Sequence, residues 1–165
     1  APLATDIIDH NIEYTYSCDL MLGTIEEMRA HAKHRSQNRE RLPNWKFSKN
    51  RQGWSVLNGT DTGWPLDGGI RLTQENTLVS PTSFRKSKHP LKVVVEFEGE
   101  FTEPIRLFRQ YLEEKSFDPT PSVAEIHGQT LNFPLPQTEK AATRMKIQFP
   151  QQALIKTVRS VEQHQ

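Results

Sequence analysis

The stretch that most constrains the fold is LKVVVEFEGEF, residues 91–101, in which side chains alternate between two faces. One face is entirely apolar and consists of Leu91, Val93, Val95 and Phe97. The opposite face carries Lys92, Glu96 and Glu98. A period of two residues is typical of a strand with one buried face. The chain is therefore expected to build a sheet that packs one side against a core.

Shorter alternating or β-branched stretches predict further strands. They are found at residues 12–22, 70–73, 76–80, 123–133 and 143–149. Two more, NWKFS (44–48) and GWSVLNG (53–59), are predicted to pair as a hairpin across KNRQ. The stretch at 123–133 is either one strand or a hairpin bent at Gly128, because glycine accepts the backbone angles of a tight turn.

Three segments have the apolar spacing of helices, at residues 24–41, 105–115 and 151–163. The first begins with Thr24-Ile25-Glu26-Glu27, a capping box in which the Thr and Glu side chains satisfy each other's backbone N–H groups. Pro43 follows its end. Its apolar stripe covers only the first two turns, and the second half is polar on all sides.

Strands joined by short connections, with three helices among them, favour an α+β fold. We expect an antiparallel or mixed sheet of about five or more strands, with the three helices packed mainly on one face. The 165 residues are expected to form a single domain, 1–165, from which a basic helix–hairpin region at 24–58 projects.

Charge is strongly segregated along a chain whose formal net charge is only +1. Residues 1–28 carry six acids and no Lys or Arg, whereas residues 29–51 carry eight Lys or Arg and one acid, Glu40. Further basic blocks lie at 85–92 and at 140–159. Clustered cations repel one another, so this layout indicates a surface that takes up an external anion.

Nucleic acid is the favoured ligand, because clustered Lys and Arg bind its phosphates and the binding is favoured by the release of counterions. The predicted protein is a non-catalytic binder whose contacts come from the basic helix and the following hairpin, residues 29–52. The proposed contact residues are Arg29, Lys33, Arg35, Arg39, Arg41, Trp45, Lys46, Lys49 and Arg51. Among them, Trp45 would stack on an unpaired base. Neither a cofactor nor a metal is expected.

A protein partner is the alternative. In that interpretation the chain is an adaptor or inhibitor that docks through its charge-segregated surface. The acidic block EFEGEFTE, residues 96–103, would then lie on an edge strand and receive a basic partner. The amino-terminal acids would also be free to neutralise the basic segment internally, which would leave no surface for nucleic acid.

A second alternative is a metal-dependent hydrolase or nuclease. His31 and His34 lie three residues apart and so share a flank of the predicted helix, a spacing at which two imidazoles can ligate one metal. No paired cysteines and no H-E-x-x-H motif accompany them. Cys18 is expected to be a small buried residue rather than a nucleophile.

The single cysteine excludes an intrachain disulfide, which favours a reducing compartment and a cytoplasmic protein. No apolar run approaches the roughly 18 residues that a membrane span requires.

The nucleic-acid hypothesis predicts that affinity for a generic duplex or single strand falls steeply as salt is raised. Replacing Arg35, Arg39 and Arg41 together with Ala should weaken binding strongly, because three phosphate contacts would be lost. Fluorescence anisotropy across a salt series measures both effects. A salt-independent response, or no binding at low salt, would contradict the hypothesis.

Overall fold

The computed structural model describes residues 20–37, 42–58, 66–73, 75–83, 89–112, 114–138 and 140–163, and for 32–37 it describes the backbone alone. Within these ranges the chain forms one helix, α1 (Ile25–Gln37), and eleven strands. The strands are β1 (Asn44–Lys46), β2 (Ser55–Val56), β3 (Ile70–Leu72), β4 (Asn76–Val79), β5 (Leu91–Gly99), β6 (Arg106–Tyr111), β7 (Ser122–Val123), β8 (Glu125–His127), β9 (Thr130–Leu135), β10 (Ala142–Phe149) and β11 (Ala153–Glu162).

The strands form two antiparallel sheets. The six-stranded sheet has the order β1-β11-β5-β9-β8, and β3 also pairs with β11. The five-stranded sheet has the order β2-β4-β10-β6-β7. Strands β1 and β3 share one side of β11, where β1 pairs with Thr157–Arg159 and β3 with Ala153–Ile155. Successive strands often belong to different sheets, as β10 and β11 do.

The inner faces of the two sheets share one hydrophobic core. Strand β5 of the six-stranded sheet contributes Val93, Val95 and Phe97, and β10 of the five-stranded sheet contributes Met145, Ile147 and Phe149. All six are buried. Burial of such a side chain contributes roughly 1.5–3 kcal/mol. The architecture is thus a β-sandwich, with outward-facing residues alternating with the core residues along each strand.

The predicted α+β fold with three helices is therefore wrong. The described residues contain one helix, and two antiparallel sheets replace the single sheet with helices on one face. The core lies between the sheets and draws its members from strands and from the segments that connect them.

The predicted helix at 105–115 is largely strand β6. Its helical spacing rested on Ile105, Phe108 and Leu112, yet the structure buries Ile105 and Leu107 in the core and leaves Leu112 half exposed. Strand β6 pairs with β10 from Arg106 to Tyr111. The spacing of apolar residues in this segment fits either a helix or a strand, and pairing with β10 decides in favour of the strand.

The predicted helix at 151–163 is strand β11. Its pairing with β5 shifts between Ile155 and Thr157, so Lys156 is an extra residue in a β-bulge. The bulge lets Ile155 and Val158 both reach the core although they lie three residues apart. That spacing is the one that resembles a helix in the sequence.

The predicted hairpin of 44–48 with 53–59 does not form. Strand β1 pairs with β11 in the six-stranded sheet, whereas β2 pairs with β4 in the five-stranded sheet. The chain turns at Gln52 and Gly53, both with positive φ, and crosses from one sheet to the other. The aromatic residues of the two segments still contact each other. The ring of Trp54 packs edge-on against those of Trp45 and Phe47, with centroid distances of 5.3 Å and 5.9 Å.

Several strand predictions are confirmed. The strand at 91–101 is β5, the strand at 143–149 is β10, and 123–133 is a hairpin of β8 and β9 with Gly128 at φ +58° in its turn. The acidic block 96–103 lies between β11 and β9 only at its start, because pairing with β9 ends at Glu96; Glu98 and Gly99 pair with β11, and residues 100–103 follow the strand. The predicted strand at 12–22 falls mainly outside the described residues, and Leu20–Leu22 are not part of a strand.

Two leucine substitutions distinguish strand β6 from the helix that the sequence suggests. Leu107→Ala should lower the free energy of unfolding by about 2–5 kcal/mol, because it leaves a cavity between the sheets. Leu112→Ala should change it by about 0.5 kcal/mol or less, because Leu112 is half exposed. Urea unfolding of both variants measures the difference. Equal losses, or a greater loss at Leu112, would contradict the strand assignment.

Candidate nucleic-acid interface

Helix α1 carries the first of the predicted contact residues and begins at a formed capping box. The Thr24 backbone N–H donates to Glu27 Oε2 at 2.8 Å, and the Glu27 N–H donates to Thr24 Oγ1 at 3.3 Å. The hydrogen bonds from Thr24, chiefly from its backbone N–H and then from its hydroxyl, hold the pKa of Glu27 below its usual 4.5. The capping box predicted from the sequence is therefore confirmed.

The described part of α1 exposes its side chains to solvent. Arg29 and His31 are exposed, and so are Ile25 and Met28 of the apolar stripe in its first two turns. Lys33 and Arg35 belong to the helix, but their side chains are not among those described. Arg39 and Arg41 lie outside the described residues. Arg29 is therefore the cation of the helix whose side chain is described and exposed.

The predicted contact residues that follow the helix have different environments. Trp45 is buried and its ring belongs to the core, so it does not offer a face to a base. Lys46 is exposed on the outer face of the six-stranded sheet, and Lys49 is exposed in the loop after β1. Arg51 is half-buried. The Gln52 side chain fastens this loop by donating from Nε2 to the Lys46 carbonyl at 2.9 Å.

The outer face of the six-stranded sheet is a mixed surface of cations and carboxylates. Arg159 Nη2 lies 3.5 Å from Glu96 Oε1, and the Lys156 ammonium contacts Glu98. Both pairs are partly exposed, so each contributes about 1 kcal/mol or less to stability. Two bases of the 140–159 block are thus neutralised by the acidic block of β5.

The outer face of the five-stranded sheet has a different charge. Its outward side chains include Arg106 on β6 and both Arg144 and Lys146 on β10, because they alternate with core residues. The five described strands of this sheet contain no Asp or Glu. No ion pair joins these three cations to a carboxylate within the described part of the chain.

The described cations of the 140–159 block therefore do not gather on one face. Arg144 and Lys146 face outward from one sheet, and Lys156 and Arg159 face outward from the other. Lys46 lies near Arg159, since β1 and β11 pair with Asn44 opposite Arg159 and Lys46 opposite Thr157. Residues 84–88 of the 85–92 block are not described. Sequence reasoning missed Arg106 as a surface cation because it assigned that segment to a helix.

The metal hypothesis gains no cluster from the structure. Among the described residues no three His, Cys, Asp or Glu side chains are grouped so that they can hold a metal ion. The side chain of His34 is not described, so the hydrolase alternative stays a prediction. Cys18 also lies outside the described residues. No helix in the described ranges is long and apolar enough to cross a membrane.

No protein-family model and no curated protein matches the sequence.

The capping box predicts that the helix that presents Arg29 depends on pH. The folded pKa of Glu27 is lowered, so its contribution is present above pH 4.5 and is lost as the pH falls through the lowered value. Helix content at 25–37, followed by backbone chemical shifts, should decrease over that acidic range. Glu27→Gln should remove this dependence, because the amide accepts the same bond without titrating.

The matched variant Glu26→Gln keeps the Thr24–Glu27 bonds and should retain the dependence. An unchanged acidic transition in Glu27→Gln would show that the capping box does not control the helix.

Proposed function

We propose that the protein is a non-catalytic nucleic-acid-binding β-sandwich whose first contact surface is the basic segment 29–51. One observation carries the proposal: some of the described cations lie against a carboxylate and others do not. Lys140, Lys156 and Arg159 each lie against a carboxylate. Arg29, Lys46 and Lys49 are exposed, and within the described residues none of them is in an ion pair.

Unpaired cations are the ones that favour an external polyanion. An exposed cation that already has a carboxylate partner must exchange it for a phosphate, which offsets part of the electrostatic gain. Within the described residues Lys46 and Lys49 have no carboxylate partner to exchange, so each phosphate contact contributes its full release of counterions. The basic segment is therefore a part of the sequence where capture of a nucleic acid is little opposed by the protein itself.

Hydrogen bonding completes the contact after electrostatic capture. Asn44 and Lys46 flank the buried Trp45 on β1 and are both exposed. Their strand lies beside Arg159 on the neighbouring β11. The Asn44 amide beside the exposed Lys46 is suited to a phosphate oxygen or a base edge. With a single cysteine in the sequence, we place this activity in the cytoplasm.

A protein partner is a second candidate, favoured by the acidic end of β5. Glu100 and Glu103 are exposed after the strand, and no ion pair to either is present among the described residues. Phe101 between them packs its ring near Phe97 and Phe149, which holds this loop against the core. A basic protein that docks here would be recovered in a pull-down that survives nuclease treatment.

The double variant Lys46→Ala/Lys49→Ala tests the proposed surface. Loss of two phosphate contacts should lower the slope of log affinity against log salt by about two on duplex DNA. Affinity should fall at low salt and converge with that of the unmodified protein at high salt. Anisotropy titrations at several salt concentrations give both values.

The control is Lys140→Ala/Lys156→Ala, which removes the same charge from cations that already have carboxylate partners. Its slope should change by less than one. Equal effects of the two double variants would mean that net charge alone decides the affinity, and the basic segment would lose its special role.

A further inference from the structure

We infer that the outer face of the five-stranded sheet is a second contact surface, one that binds single-stranded nucleic acid in preference to duplex. This inference rests on the proposed function and names the form of nucleic acid that the protein selects. The surface is formed by Arg106, Phe108, Arg144 and Lys146, together with Phe117 from the segment that follows β6.

Strand pairing places these side chains side by side. Lys146 on β10 lies directly opposite Phe108 on β6. Two residues further along β10, Gln148 lies opposite Arg106. Paired residues of adjacent strands face the same side of a sheet. Their other neighbours, Leu107 and Ile147, are buried in the core. The basic and aromatic side chains therefore share the solvent side.

The charge of this face is cationic and uncompensated by its own sheet. Arg106, Arg144 and Lys146 face outward, and the five described strands supply no acid. The nearby Glu114 is engaged with Lys140, whose ammonium lies 2.9 Å from its carboxylate. The opposite sheet differs, since two of its outward cations contact Glu96 and Glu98. An anionic ligand is thus favoured on one side of the sandwich.

Two aromatic rings determine which anion fits. The Lys146 Nζ lies 4.5 Å from the centroid of the Phe108 ring and 5.1 Å from that of Phe117. The segment that carries Phe117 is fastened to β6, because the Asp118 N–H donates to the Arg109 carbonyl at 2.7 Å. Both rings are half-buried and the Lys146 ammonium lies over each of them, so a base stacks on a ring where a ligand phosphate draws the ammonium away. A ligand phosphate and an aromatic group can therefore be contacted at neighbouring points.

A single strand satisfies this arrangement and a duplex does not. Stacking on an aromatic side chain requires an unpaired base, whereas bases in a duplex are already stacked on one another. Reading a duplex requires a helix or ribbon that enters a groove, and the described part of this sheet presents a broad face instead. Phosphate contacts to the three cations with bases against the rings give a site that tolerates many sequences.

The test uses a labelled oligothymidylate and a DNA duplex of the same length. The charge variant Arg106→Gln/Arg144→Gln/Lys146→Met should lower single-strand affinity at low salt by about tenfold or more, with a salt slope lower by about two. Phe117→Leu should lower single-strand affinity about fivefold with the slope unchanged, because stacking does not release counterions. Duplex affinity should change little in Phe117→Leu.

The matched control is Arg71→Gln/Lys92→Gln/Lys156→Gln, which removes three cations from the outer face of the opposite sheet. Equal losses in the two triple variants would overturn the inference, as would an unchanged single-strand affinity in the charge variant.

If the unmodified protein bound neither probe at low salt, the proposed function itself would fail. If it bound both and lost binding only in Lys46→Ala/Lys49→Ala, the proposed function would stand without the second surface. Thermal unfolding of each variant confirms that it is folded.

Discussion

The rest of the structure depends on the burial of two apolar sheet faces against each other. Each sheet alone would leave residues such as Val95 or Ile147 in water, and neither face has another described partner. Because side chains alternate along a strand, burying one face decides which residues point outward on the other. The location of every strand charge thus follows from the packing of Val, Ile, Leu and Phe between the sheets, without any attraction between the charges themselves.

This constraint separates charges that the sequence places together. Strands β10 and β11 follow each other in the chain but belong to different sheets, so the bases of one block lie on opposite sides of the sandwich. On one side, Glu96 and Glu98 of β5 neutralise Arg159 and Lys156. On the other side the described strands of the sheet carry no acid. Lys and Arg residues that look alike in the sequence therefore differ in how strongly they favour an external phosphate.

The sequence predicts the strands whose apolar period is uninterrupted, such as β5 and β10. It fails where a tertiary feature alters the period: the bulge at Lys156 brings Ile155 and Val158 to the same face, a spacing that is typical of a helix. It also fails at β1 and β2, where the alternation is right but the partner strands are far away in sequence. For the site, the sequence identifies the basic segment and the capping box. The ion pairs that neutralise Lys156 and Arg159 depend on strand register, which cannot be deduced from the amino-acid composition.

The most direct test of the two-sheet packing is thiol labelling along β6, the segment whose sequence is ambiguous between helix and strand. Cys18 is the one native cysteine, so a Cys18→Ser background allows each position from 106 to 111 to be replaced with cysteine in turn. The structure predicts fast labelling at 106, 108 and 110 and slow labelling at 107, 109 and 111. Protection that instead recurs every three or four residues, with 108 shielded and 107 open, would contradict the sandwich and with it the assignment of the charged faces.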